Sequence, residues 1–353
     1  MSVEQDWFQR YKFCQPLGQG GMGTVYLAED RANQNIQCVI KQLTNKYGDP
    51  AEHAEAVRLF QREAAILRNL HHPGIVRVFD DYATEDGRYF LVMDYVPGRD
   101  LDAVVKASGP LTSDAVVRIA IQCCEVLEYI HGQDPPVIYR DVKPSNLMLT
   151  PDGHVVFVDF GIARSFIPKQ AATRVVTAGY SPPEQYFGKP ETRSDLYSLG
   201  ATMSHLLTGM RPKPLALCTP GLMNPRVLPS LDALVRKLTA HNVDDRPPTA
   251  GAVRWELYRI YKELHPEFVL PPEPEMPASV AGQAAQVVEP SAGYAEPSIR
   301  SLARFRAGGL AGAQATAQPK ARPGAQMPGG ARHSNPERGL WGRVKQWIQN
   351  WMS

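Results

Sequence analysis

The sequence contains no uninterrupted apolar run near the roughly 20 residues that a membrane-crossing helix requires. Its N-terminus, Met-Ser-Val-Glu-Gln-Asp-Trp, has acids where a signal peptide has an apolar core. Cysteine is scarce. The five present, Cys14, Cys38, Cys123, Cys124 and Cys218, include no Cys-x-x-Cys pair, which argues against a disulfide framework or a zinc site and for a reducing cytosol. Cys123 and Cys124 are neighbours in a helical pattern and read as small buried apolar groups. An excess of either charge is also missing: 38 Lys and Arg face 36 Asp and Glu, so nothing in the balance points to nucleic acid. With 43% apolar residues over 353 positions, the chain can build two lobes with substantial cores.

The densest chemistry lies between Val137 and Gly161. Leu147 to Leu149 and Val155 to Val158 are strand-like runs separated by Pro151-Asp152-Gly153, a turn signal, so the segment reads as a hairpin. Antiparallel pairing returns Asp159 to the neighbourhood of Asp141, Lys143 and Asn146. A carboxylate that can accept a hydroxyl proton, an ammonium, and two oxygen donors for a hard cation suit phosphoryl transfer.

The spacing Arg-Asp-x-Lys-x-x-Asn, with Asp-Phe-Gly 18 residues after the first Asp, resembles the catalytic loop and metal motif of the eukaryotic-type Ser/Thr protein kinases. The wording around it looks like the bacterial branch, cyanobacterial members included. The resemblance covers residues 11–265 and implies an α+β, bilobal fold: a small antiparallel β lobe over 11–95 and a larger helical lobe over 96–265. It implies ATP and Mg²⁺ as cofactors and proteins as substrates. On it, Asp141 accepts or orients the hydroxyl proton, Lys143 neutralises the transferring group, and Asn146 and Asp159 hold the metal.

Gly18-Gln19-Gly20-Gly21-Met22-Gly23 is weak evidence alone. The β-branched and aromatic Thr24-Val25-Tyr26 that follows makes it a hairpin tip rather than a helix start, able to lie over phosphates. Val25 would cover adenine. Lys41, at the end of Cys38-Val39-Ile40, falls where the family positions phosphates. Its partner should be a helical glutamate: Glu63, beside the stripe Val57, Phe60, Ala64, Leu67, with Glu55 and Glu52 as alternatives. Asp49, Pro50 and Glu52 read as the start of that helix. Val39 replaces a usual small residue and narrows the adenine slot.

Ile75 to Phe79 and Arg88 to Met93 read as strands. Met93 is expected behind adenine, Asp94 to Val96 as the hinge, Asp100 at the ribose and Met148 in the same nucleotide site. Val116, Ala120, Cys123, Leu127 and Ile130 recur at helical spacing and stop before Gly132. Tyr139 stands where most of the family has histidine. With Leu67, Val78 and Phe160 it should form an apolar column between the lobes.

Residues 160–183 resemble an activation segment. Arg140, just before the base, is expected to pair with a phosphate there, with Thr173 as acceptor ahead of Ser165. Thr177 matches the threonine that contacts Lys143 and the catalytic Asp, which makes it a substrate-site residue first and a regulatory phosphorylation site second, although Val176 replaces a glycine before it. Glu184, in Pro182-Pro183-Glu184, should meet Arg246, and Asp195 should brace the catalytic-loop backbone. Thr249 should cap a last helix carrying Val253, Leu257, Ile260 and Leu264.

Beyond the lobe, residues 266–337 are rich in Pro, Ala and Gly and read as a disordered linker. From Arg300 onward Glu337 is the single acid. Residues 338–353 pattern as an amphipathic helix with Trp341, Val344, Trp347, Ile348, Trp351 and Met352 on one face and Arg343 and Lys345 beside it. Such a face suits a membrane surface, a docking partner or this chain's own lobe. The expected location is cytoplasmic, with or without a peripheral membrane contact. The rival class is a pseudokinase scaffold, which usually lacks at least one of the lysine, base and metal ligands. A small-molecule kinase is a weaker alternative.

Overall fold

The computed structural model describes residues 3–20, 23–43, 61, 64–84, 88–159 and 177–273. Helix α1 (Val3–Arg10) precedes five antiparallel strands, β1 (Tyr11–Gly20), β2 (Gly23–Asp30), β3 (Ile36–Leu43), β4 (Val78–Ala83) and β5 (Tyr89–Asp94), in the order β1-β2-β3-β5-β4. Alternation along β5 explains why this sheet is covered on both faces. Phe90 and Val92 enter an outer cluster with Trp7, Tyr11, Cys38 and Ile40, while Leu91 and Met93 enter the main core with Ala64 and Leu67. Trp7 of α1 closes the outer face, stacked on Tyr82 with ring centroids 5.1 Å apart.

The strand expected over Ile75 to Phe79 starts three residues later, at Val78, and continues to Ala83. Ile75 instead forms a single parallel bridge to Phe157, with Val76 N–H donating to the Phe157 carbonyl at 3.0 Å and Phe157 N–H to that of Gly74 at 2.8 Å. The apolar run is the same in either pairing. What moves the strand is the availability of the Phe157 backbone groups as partners, which one-dimensional pattern does not encode.

The second lobe opens with β6 (Arg99–Asp100), α2 (Leu101–Ser108) and α3 (Ser113–His131). Thr112 caps α3 by accepting from Ala115 N–H at 3.2 Å, and Val116, Ala120, Cys123, Leu127 and Ile130 are all buried on it. Cys123 and Cys124 are fully buried free thiols whose pKa values burial raises. Strands β7 (Leu147–Leu149) and β8 (Val155–Phe157) form the expected hairpin and join β6 in a three-stranded sheet. Thr150 closes its turn, giving Oγ1–H to the His154 carbonyl at 3.1 Å and accepting from His154 N–H at 3.0 Å. Then follow α4 (Pro183–Tyr186), α5 (Thr192–Thr208), α6 (Pro220–Met223), α7 (Pro229–Leu238) and α8 (Ala250–Leu264). Helix α5 buries every residue from Ser194 to Leu207, as a helix at the centre of a lobe must. Thr249 caps α8 on Ala252 N–H at 3.1 Å, with Val253, Leu257 and Ile260 buried and Leu264 half-buried.

Candidate active site

The segment between α3 and β7 is held from beneath by Asp195, a fully buried carboxylate in the first turn of α5. It accepts from Tyr139 N–H at 2.8 Å, Arg140 N–H at 2.7 Å and His131 Nε2–H at 2.9 Å. Thr202 Oγ1 donates to the Val142 carbonyl at 3.0 Å, and Gln185 Nε2 donates to that of Arg140 at 3.1 Å. These contacts hold Arg140 at φ +66°, a left-handed conformation unusual for a side-chain-bearing residue, and so turn Asp141 into the site. His131 was not anticipated as a partner of Asp195. It is simply the last residue of α3, and only tertiary folding brings it there.

Asp141 is the hub. Its Oδ2 accepts from Lys143 Nζ at 2.8 Å and Asn146 Nδ2 at 2.9 Å, and its Oδ1 accepts from Thr177 Oγ1 at 2.8 Å. Asn146 Nδ2 also lies 3.3 Å from the Asp159 carbonyl oxygen, which places Asp159 beside the cluster, as the hairpin requires. Lys41 reaches in from β3 to bond Asp159 Oδ1 at 2.5 Å, and its side chain is only 13% exposed. Six side chains from distant parts of the chain, Lys41, Asp141, Lys143, Asn146, Asp159 and Thr177, therefore converge. The direct Lys41–Asp159 ion pair was not foreseen; no spacing rule signals it, because β3 and the hairpin meet only across the lobes.

The remaining described residues expected at the nucleotide fall on the strands of the two sheets and the segment that follows β5. Strands β1 and β2 extend to their meeting point at Gly20 and Gly23, with Gly18 opposite Val25 and Gln19 opposite Thr24. A Cβ on Gly18 would meet nothing within 4 Å, so the strand is open to space at that position. Val39 pairs with buried Met93 across β3 and β5, and Val96 packs on the main core. Met148 lies opposite Asp100 in β6–β7. Asp100 spends one oxygen capping α2, accepting from Ala103 N–H at 2.8 Å. The Asp94 carboxylate turns to Arg77, at 3.1 and 3.2 Å, and not into the cluster. Gly21, Met22, Glu63, its alternatives Glu52 and Glu55, Phe160, Ser165 and Thr173 lie outside the described residues.

Tyr139 is buried edge-on against Phe157, centroids 4.9 Å apart, and shares one core with Leu67 and Val78. Burial, with the Asp159 and Asp141 charges nearby, raises its phenol pKa well above the ordinary value, so it stays neutral. Below, Arg246 forks onto Glu184 at 2.7 and 3.0 Å, and Ser194 Oγ donates to the same carboxylate at 2.6 Å.

Asp195 gives a direct test of this support. In Asp195→Asn an amide N–H₂ must face one of three donors, so the loop loses at least one hydrogen bond and gains a donor–donor conflict. We expect turnover to fall at least about tenfold, an effect of roughly 1.4 kcal/mol on the barrier, with nucleotide affinity little changed. Steady-state kinetics beside a nucleotide-binding titration measure this, and an unaltered kcat would remove Asp195 from the loop's support.

The donors also suit a hard cation. Asn146 commits its amide nitrogen to Asp141 and to the Asp159 carbonyl, so its amide oxygen projects from the other arm of the fork. Asp159 is 36% exposed with one oxygen on Lys41. An amide oxygen and a carboxylate are ligands Mg²⁺ accepts when phosphate oxygens and water complete the shell.

Comparison with known proteins gives the same picture. Residues 11–217 match the family model described as the protein kinase domain. The chain is 33% identical over 339 residues to the serine/threonine-protein kinase PknB of Mycolicibacterium smegmatis, covering 86% of this chain and 53% of that protein. It is 38% identical over 224 residues to the serine/threonine-protein kinase PknA of Nostoc, covering 60% and 39%. The chain thus spans about half the length, or less, of these curated relatives. Among solved structures, the kinase domain of Mycobacterium tuberculosis PknI aligns with TM-score 0.58 and 28% identity, over 71% of this chain and 96% of that one.

Proposed function

Because this chain belongs to the protein kinase family, we propose that it transfers the γ-phosphoryl of ATP to serine or threonine hydroxyls of proteins. The observation that carries the reading is Thr177 Oγ1 on Asp141 Oδ1 at 2.8 Å, a hydroxyl of the substrate's own chemical type already bonded to the expected base. The acceptor hydroxyl takes the same oxygen as its anchor. Its oxygen bonds to Pγ, the bond from Pγ to the β,γ-bridging oxygen breaks, ADP leaves with that electron pair, and the proton passes to Asp141. Lys143, on the other carboxylate oxygen at 2.8 Å, offsets charge on the moving group. Lys41 orients the phosphates, and Glu63 is its proposed partner in the nucleotide-bound state. Asn146 and Asp159 would hold Mg²⁺, which supplies charge neutralisation between the phosphates.

Thr173 and Arg140 form the proposed regulatory pair, with autophosphorylation of the first read by the second. Among the described residues no helix is long and apolar enough to cross a membrane. A cytoplasmic location remains part of the proposal, as does a peripheral membrane or docking contact through Trp341–Met352. All of those contact residues lie outside the described ones.

Incubation of the full chain with [γ-³²P]ATP and Mg²⁺, followed by acid hydrolysis and separation of phosphoamino acids, tests the class. Label is expected on phosphoserine and phosphothreonine, and EDTA should abolish it. Label on tyrosine alone, or labelling indifferent to EDTA, would refute the assignment.

A further inference from the structure

The described surface carries its large exposed apolar side chains unevenly. Five of them, Met210, Leu215, Leu217, Leu222 and Met223, fall within one stretch, Gly209 to Arg226, and are 39% to 85% exposed. That stretch contains no Asp or Glu, only the cations Arg211, Lys213 and Arg226. Arg211 has Asp102 at 3.9 Å, whereas neither Lys213 nor Arg226 has an ion-pair partner among the described residues.

Looseness does not account for this exposure, because the backbone is pinned from below at four places. His241 Nε2–H donates to the Leu215 carbonyl at 2.6 Å, Cys218 N–H to Thr239 Oγ1 at 3.1 Å, Gly221 N–H to Asp232 Oδ1 at 2.7 Å, and Asn224 Nδ2 to the Leu207 carbonyl at 2.8 Å. Leu215 is held at φ +53°, a left-handed conformation that a leucine adopts only when its surroundings impose it. Fixed, outward-facing apolar groups on a stretch whose own charges are all cations mark an interaction surface; the Asp102 and Asp232 carboxylates border it at Arg211 and Gly221, and Lys213 and Arg226 are the cations left to choose the partner's charge.

Its position says what the partner is for. Gly179, at φ +90°, is pressed so close to Pro212 that a Cβ there would lie 2.2 Å from the Pro212 carbonyl oxygen. Gly179 is two residues from Thr177, whose hydroxyl rests on Asp141. Buried Tyr180 gives its hydroxyl proton to His205 Nδ1 at 2.6 Å and thereby fixes the same turn to α5. The cationic apolar stretch therefore abuts the segment expected to meet the phosphoacceptor.

We propose that the 209–226 surface is a docking face for protein substrates, taking an acidic segment with apolar anchors that is separate in sequence from the phosphorylated Ser or Thr. This rests on the kinase reading above and adds the substrate class. Docking at a second site makes the acceptor's arrival intramolecular, so it lowers KM and leaves kcat unchanged.

The probe is a labelled amphipathic peptide of leucine and glutamate with no hydroxyl residue, beside the same peptide with lysine for glutamate. Anisotropy titration on the full chain should show the acidic form binding about tenfold tighter to the wild type than to a Leu222→Ser, Met223→Ser, Arg226→Glu variant. Linking the acidic peptide to a short Ser-containing acceptor should lower KM about tenfold for the wild type alone, with kcat and the KM of the unlinked acceptor the same in both proteins. The substituted side chains are exposed, so both proteins should melt alike. A Lys213→Glu, Arg226→Glu variant, which keeps the apolar groups, should reverse the preference toward the lysine peptide. Equal affinity of wild type and variants would overturn the proposal. A wild-type dimer that the variants dissociate would overturn it in favour of a second copy of this chain. Anisotropy that behaves as expected while no peptide is ever labelled would leave the face standing and refute the kinase reading.

Discussion

Asp141→Asn is expected to lower the rate of phosphoryl transfer by about 10²- to 10⁴-fold, the range a positioned general base contributes. The substitution is nearly isosteric, and its effect follows from what each oxygen now does. Oδ2 faces two donors, Lys143 Nζ and Asn146 Nδ2, so the amide of the variant must turn its oxygen that way. Its N–H₂ group then faces Thr177 Oγ1 and the incoming hydroxyl, where Oδ1 had been an acceptor. The variant offers a donor where a proton must be received. Lys143 also loses its counter-charge, while the Lys41–Asp159 pair on the nucleotide side is untouched. ATP affinity and melting temperature should therefore stay close to wild type while single-turnover labelling from [γ-³²P]ATP collapses. Equal labelling of the two proteins would remove Asp141 as the base. Absence of labelling from both would favour the scaffold alternative, in which Lys41, Asp141, Asn146 and Asp159 bind nucleotide without turning it over.

What could be read from the sequence was whatever a local pattern encodes. The hairpin around Pro151-Asp152-Gly153, the cap at Thr249 and the apolar stripe of α3 each depend on neighbours within a few positions, and each stands where the pattern puts it. The site was legible for a different reason: Asp141, Lys143 and Asn146 share one turn, and one hairpin returns Asp159 to them. Contacts decided by long-range competition were not legible. Ile75 exchanged a place in β4 for a bridge to Phe157, and Lys41 found the Asp159 carboxylate 118 residues away. Neither choice changes the pattern of apolar and polar residues. The outer aromatic cluster was missed as well, because Trp7 belongs to a short polar helix whose role appears only once β4 and β5 present Tyr82 and Phe90 to it.

Arg246→Ala should be the most damaging substitution for the fold, costing about 3–5 kcal/mol, because it strands a carboxylate whose side chain is only 13% exposed. The Arg246 side chain is fully buried. Besides its two bonds to Glu184 it donates to the Ala240 carbonyl at 2.9 Å, the Arg193 carbonyl at 3.2 Å and the His241 carbonyl at 3.3 Å. Its guanidinium also lies 5.0 Å over the Tyr197 ring. Removing it leaves Glu184 with Ser194 Oγ and leaves three carbonyls short of a donor. The pH dependence identifies the cause. Burial alone would push the Glu184 pKa up, but hydrogen bonds from Arg246 and Ser194 outweigh it and hold the carboxyl below its ordinary value. A carboxyl whose folded pKa is depressed stabilises the fold above its unfolded pKa and loses that contribution as the pH falls through the folded one. In the variant the partly buried carboxylate is left without its cation, so the deficit is largest near neutrality and shrinks on acidification as Glu184 takes up a proton. Denaturant titrations of the two proteins across the acidic range measure the difference directly. A Glu184→Gln, Arg246→Met double variant should recover part of the loss by removing the stranded charge. A deficit below about 1 kcal/mol, the scale of an exposed pair, or one that does not change with pH, would mean the pair does not anchor the lobe.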